Sequence, residues 1–239
     1  MMRNIISQKT PLNVKDGSIM DAFVAMPDDK VKHPGILIFQ EAFGVNAYIR
    51  DIAQRFAHLG FISIAPELFH RTAPGFEGNY NNFEGTKEHI QALTTEGLIN
   101  DIEAAYLWLL NYPTMLNDNI ASIGFCMGGR ISFLANTAVK LKAAISFYGG
   151  GIPALLNRVE KIQAPLLLFW GGLDKHIDEN QISLITESLK QNKINYVNVV
   201  FSEANHGFFC DARQSFNPQA AKNSWALVNS FLDTYLVLN

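Results

Sequence analysis

The sequence predicts an α/β fold, a doubly wound, mostly parallel sheet with helices on both faces. Three observations predict it. Short apolar runs alternate with segments of helical periodicity along the chain. Some of those runs are apolar at every position, as in strands covered on both faces. The length of 239 residues, 48% of them hydrophobic, suits a single domain spanning residues 1–239 with a sizeable core.

The elements follow in order. Ile5 to Pro27 reads as two strands joined at Lys15-Asp16-Gly17-Ser18, a hairpin turn. Pro34-Gly35 releases a buried strand, Ile36 to Phe39. A helix follows from Ala47 to Leu59, with Ile49, Ile52, Ala53, Phe56 and Ala57 on one face and Gly60 as terminator. Phe61 to Ala65 is a strand stopped by Pro66. Residues 67 to 84 are rich in Gly, Asn and Pro, and read as a long irregular connection, a kind of segment that often carries function. Helix resumes near Thr86 and again from Gly97 to Asn111. The strand Ile120 to Cys126 leads into a helix ending near Ala138. Strands then fall at Ala143 to Tyr148, Leu166 to Trp170 and Asn195 to Phe201, with a helix from Glu179 to Gln191 and a last one from Pro218 to Val237.

Composition narrows the function classes. The chain carries 19 basic and 22 acidic residues, a net charge of −3, with no basic block, so no nucleic-acid partner is expected. No apolar run reaches the roughly 18 residues of a membrane span, and the first residues turn polar almost at once, so neither a membrane partner nor a signal peptide is expected. The two cysteines, Cys126 and Cys210, make no disulfide framework, which fits a cytoplasmic enzyme with a free thiol. With no Cys-x-x-Cys or His-x-x-x-His pair, neither a metal nor another cofactor is expected. A compact single domain suits a monomer.

The most informative stretch is Ile123 to Gly129, a strand end followed by Gly-x-Cys-x-Gly and a helix start. This is the pattern of a nucleophile elbow, a strained strand-to-helix turn that lifts one side chain above the sheet edge. Glycines flank such a turn because neighbouring backbones approach closely. Here Cys126 occupies the nucleophile position. Asp174 and His206 each follow a later strand, where open α/β sheets place their sites. Nucleophile, acid and histidine in that order match the α/β-hydrolases. A free thiol, with a pKa near about 8.5, is mostly protonated at neutral pH. A histidine that takes its proton, held in one tautomer by a carboxylate, makes it a nucleophile. Asp178 is a rival acid, while His176 lies too near Asp174 in sequence for the expected order.

Taken together, Gln40-Glu-Ala-Phe-Gly-Val-Asn46, Ala65-Pro-Glu-Leu-Phe69, Gly124-Phe-Cys-Met-Gly-Gly129, Gly171-Gly-Leu-Asp174 and His206-Gly-Phe-Phe209 resemble the dienelactone hydrolase family of α/β-hydrolases, from about Gly17 to the final helix. The resemblance implies the α/β-hydrolase fold, a Cys126–His206–Asp174 triad acting through a thioester acyl-enzyme, and a small ester or lactone as substrate. It adds Glu41 as a residue that contacts the resting thiol and helps to deprotonate it. It also assigns the oxyanion hole to the backbone N–H groups of Met127 and Ala42. The chain departs from the family at the arginines that hold the substrate carboxylate. Cys210 stands at one expected position; Arg213 is displaced from it, and near Thr86 there is Lys87 but no arginine. Arg71 is a third candidate, and Tyr148, Tyr80 and Phe83 are candidates to line an acyl pocket.

Thiolate is a better leaving group than alkoxide, which favours activated esters and enol lactones over peptides and alkyl esters. A ligand-binding protein that has lost efficient catalysis, and a thiol sensor built on Cys126, remain open alternatives at this level.

Overall fold

The computed structural model describes residues 3–237. Eight strands form one sheet in the order β1-β2-β4-β3-β5-β6-β7-β8. Strands β1 (Ile5–Asn13) and β2 (Ile19–Pro27) pair antiparallel across a turn at residues 14–18, where Asp16 accepts the N–H of Ser18. β2 also runs antiparallel to β4 (Ile62–Pro66). From β4 onward, β3 (His33–Phe39), β5 (Met115–Phe125), β6 (Ala143–Phe147), β7 (Leu166–Gly171) and β8 (Tyr196–Phe201) are all parallel. β3, β4, β6 and β7 are buried at every residue, the consequence of their mostly apolar sequence under helices on both faces.

Side-chain caps set where helices start. Asn46 accepts the Ile49 N–H at the head of α1 (Ala47–His58). A short α2 (Lys87–Gln91) precedes α3 (Thr95–Leu110), which Thr94 caps through Gly97. α4 (Met127–Ala138) begins directly after the elbow. Asp178 caps α5 (Glu179–Gln191), and Asn217 caps α6 (Pro218–Tyr235), whose first residue, a proline, needs no N–H acceptor. α3 and α4 pack on one face of the sheet. On the other face α1 and α6 meet, with the Phe56 and Trp225 rings 5.1 Å apart.

Two features differ from the sequence reading. β5 starts at Met115, five positions earlier than expected, because the Met115 end pairs with His33 across an irregular register. Ile152–Lys161 forms a 3-10 helix that glycines 149–151 and Pro153 disguise as loop. Its buried side chains, Ile152, Leu155 and Val159, recur at helical spacing. Among the described residues, no helix is long and apolar enough to cross a membrane.

Candidate active site

The site is built at the carboxyl ends of β3, β5, β7 and β8. β5 stops at Phe125 and α4 starts at Met127, so Cys126 forms the whole turn between them. Its backbone sits at φ 55° and ψ −116°, a strained conformation for a residue with a side chain. The Cys126 N–H bonds the Phe147 carbonyl at 3.0 Å, which ties the turn to β6. Gly124 and Gly128 make the turn possible, since a Cβ on Gly124 would strike the Gly128 carbonyl and one on Gly128 would strike that of Phe39. Cys126 is half-buried.

His206 Nδ1 lies 2.7 Å from Asp174 Oδ2. The other carboxylate oxygen, Oδ1, accepts the N–H groups of His176 at 2.7 Å and Ile177 at 3.3 Å. Burial opposes ionisation of Asp174, but the His206 hydrogen bond and charge and these two N–H groups hold its carboxyl below the usual range. Burial likewise opposes a charge on His206, but the Asp174 hydrogen bond and the adjacent Cys126 sulfur prevail and push its pKa up to about 10. The imidazolium form of His206 is therefore favoured. The ring also packs against Tyr148, 5.1 Å between centroids, and His176, 5.3 Å.

Glu41 is fully buried at the end of β3. Its Oε1 accepts a hydrogen bond from Arg213 Nη1 at 3.1 Å, while its Oε2 is buried with no hydrogen-bond partner among the described residues. Burial pushes the Glu41 carboxyl up, against the pull of Arg213, Tyr80 and His206. Arg213 reaches this position because residue 207 is glycine. Gly207 has φ +77°, and a Cβ there would lie 2.6 Å from the guanidinium carbon. The guanidinium stacks over Phe43 and Tyr80, 5.9 and 5.8 Å from the ring centroids. The Tyr80 hydroxyl accepts hydrogen bonds from Asn46 Nδ2 at 3.0 Å and from the Cys210 thiol at 3.4 Å. Cys210 is thus buried behind the site, and burial raises its pKa to about 12.

The profile of the dienelactone hydrolase family matches residues 20–236, nearly the whole chain. The chain belongs to the dienelactone hydrolase family. A Synechocystis sp. protein provisionally named a carboxymethylenebutenolidase is 33% identical over 224 residues, covering 90% of this chain and 91% of its own. The carboxymethylenebutenolidase of Pseudomonas putida is 30% identical over 210 residues, covering 86% of this chain and 87% of its own. The crystal structure of a Klebsiella pneumoniae protein, provisionally titled a dienelactone hydrolase, superposes with a TM-score of 0.88 at 27% identity, covering 97% of this chain and all of that one. The protein is thus a dienelactone hydrolase-like hydrolase with the α/β-hydrolase architecture.

The remaining candidates divide. Met127 is the first residue of α4, so its N–H has no intrahelical acceptor, and Ala42 lies in the turn after Glu41. Tyr148 is fully buried beside His206, and Phe83 is half-exposed, 6.3 Å from the Phe43 ring, and is not among the residues lining the cleft beside His206. Arg71 is a correction. Its guanidinium pairs with Asp101 on α3 and Asp16 in the β1–β2 turn, at 2.8 and 2.7 Å, and does not join the residues around Cys126. Lys87 is engaged by Glu84 at 2.7 Å.

A cleft of about 500 Å³ opens beside His206 and Arg213. The larger groove, about 580 Å³, lies between β1 and α3 and contains none of Cys126, Asp174 and His206. Sequence reasoning missed most of the cleft wall, including Asn79, Asn81, Asn205, Gln214 and Ser215. The only available signal was the Asn-rich composition of the long connection. His176, set aside as too close to Asp174, stands on this wall as well.

Proposed function

We propose that the protein hydrolyses a small activated ester or lactone through Cys126, His206 and Asp174, with a thioester intermediate. The observation that carries this reading is the 2.7 Å His206–Asp174 pair beside a cysteine held in an elbow. The Cys126 sulfur attacks the acyl carbon, and the oxyanion is received by the N–H groups of Met127 and Ala42. His206 gives its proton to the leaving oxygen as the bond to the acyl carbon breaks. Acylation ties up the Cys126 sulfur, one of the groups that raise the His206 pKa. The imidazole then becomes available as a base, just when water must be deprotonated to attack the thioester.

Glu41 assists removal of the Cys126 thiol proton, while His206 holds the proton that goes to the leaving oxygen. Its Oε2, without a hydrogen-bond partner among the described residues, is the acceptor this role requires, and Arg213 on Oε1 opposes the effect of burial on its carboxyl. The names of the relatives, carboxymethylenebutenolidases, support an enol lactone as one substrate.

The test is hydrolysis of p-nitrophenyl acetate and of a dienelactone by wild type and Cys126→Ala. Turnover by the wild type, lost in a variant that keeps its circular dichroism spectrum, supports the reading. Undiminished turnover in Cys126→Ala overturns it.

A further inference from the structure

The geometry points to a second copy of this chain as the partner of β8, the two β8 strands pairing antiparallel about a two-fold axis with Asn198 opposite its own copy. This goes beyond the hydrolase reading and does not depend on it.

β8 ends the sheet and pairs with β7 alone. Its six residues, Tyr-Val-Asn-Val-Val-Phe, carry no charge, and among the described strands it alone has no buried residue. Val197 is 43% exposed and Val200 50%. Sheets guard an open edge with charge, proline or a covering element, because its free N–H and C=O groups template another strand. The opposite edge is guarded in this way. The Asp21 carbonyl accepts the Glu67 N–H, so Asp21 faces β4, and Pro11, its partner on β1, turns its nitrogen outward. Proline has no N–H to offer there, and Lys9 adds a charge two residues earlier. β8 has neither device.

The strand is complementary to itself. The Leu166 N–H bonds the Asn195 carbonyl at 3.0 Å and the Gly172 N–H bonds that of Phe201 at 2.8 Å, so the odd-numbered residues face β7. Tyr196, Asn198 and Val200 therefore direct their N–H and C=O groups to the open side. With Asn198 opposite its own copy, Tyr196 falls opposite Val200, and each facing pair exchanges both N–H···O bonds. Tyr196 meets Val200 and Val197 meets Val199 across the strands, aromatic and β-branched pairs that stabilise sheets. The same register sets Lys193 opposite Glu203 at each end of the ribbon. Both are exposed, and neither has an ion-pair partner among the described residues. Centring the axis on Val197 or Val199 would lose that charge match. A two-fold pairing closes as a dimer and leaves no β8 edge open.

The experiment is sedimentation equilibrium of the full chain from about 1 to 200 μM, where the mass should shift with concentration to twice that of one chain. Val200→Pro removes an outward N–H without touching a bond to β7, and should weaken the dimer by about tenfold while the circular dichroism spectrum is kept. Val197→Lys leaves the backbone free to pair and puts a charge on the edge, so it should weaken the dimer as well. Lys193→Glu should weaken it by about fivefold, and adding Glu203→Lys should restore it. A wild type that stays monomeric throughout would overturn the inference. So would a dimer that Val200→Pro and Val197→Lys leave unchanged, because its interface then lies elsewhere. A dimer weakened by those variants but indifferent to Lys193→Glu, or not restored by the exchange of charges, would overturn the register centred on Asn198.

Discussion

Arg213 passes its guanidinium over the bare Cα of Gly207 to reach Glu41 at 3.1 Å. A residue seven positions beyond His206 in sequence is thereby returned to the site, while the nearer Cys210 is turned away under Tyr80. Gly207→Ala should displace the guanidinium and strain a backbone at φ +77°. The expected result is a fall in kcat/KM of about tenfold or more and a lower melting temperature. Arg213→Lys should lower kcat/KM too, because an ammonium cannot stack on Phe43 and Tyr80 while spanning to Glu41 as the planar group does. Wild-type kinetics in both variants would show the contact to be incidental.

Asp174→Asn tests the other charged contact of the site. An amide can present Nδ2 to the His206 ring and so favour the wrong tautomer. It also removes the hydrogen bond that helps to hold the His206 pKa near about 10. Turnover should fall by about 10²- to 10⁴-fold, and the imidazole resonances should titrate at lower pH than in the wild type. An unshifted titration would mean that the neighbouring sulfur sets the His206 pKa alone.

Much of this was legible in the sequence, and the limits have physical causes. The strands and helices were readable because burial on both faces writes mostly apolar runs, and caps such as Asp178 and Asn217 mark helix starts. The positions of Cys126, Asp174 and His206 at strand ends follow from element order alone. The role of Gly207 was not legible, since it depends on a side chain folding back over the backbone. Nor was the loss of Arg71 to Asp16 and Asp101, which lie 55 and 30 residues away along the chain. The cleft wall draws on the connection after β4 and on the loops after β7 and β8, so no local pattern announces it.

Stability should depend on pH with a sign fixed by the site. The folded-state pKa of His206 is raised to about 10 from an ordinary value near 6.5. Its contribution is therefore fully present below about pH 6.5 and is lost as pH rises through about 10. The folded-state pKa of Asp174 is lowered, so its contribution is present above the ordinary carboxylate range and is lost as pH falls through the depressed value. Melting temperatures measured from pH 7 to 11 should fall more steeply for the wild type than for His206→Asn. Parallel curves would show that the raised pKa is not linked to folding.

Glu41→Gln separates stability from activity. The wild-type carboxyl is fully buried with one oxygen unpartnered, an arrangement that costs stability. Glutamine keeps an oxygen acceptor for Arg213 and removes the buried acid, although it leaves the arginine charge without its counter-ion. Relief of the carboxylate desolvation should nearly balance that loss, because Arg213 is one-fifth exposed while Glu41 has no solvent contact at all. The melting temperature should thus hold or rise, while kcat/KM for an activated ester falls by about tenfold through loss of the proposed auxiliary base. A large drop in melting temperature with unchanged kcat/KM would reverse the assignment and make Glu41 a structural anchor for Arg213.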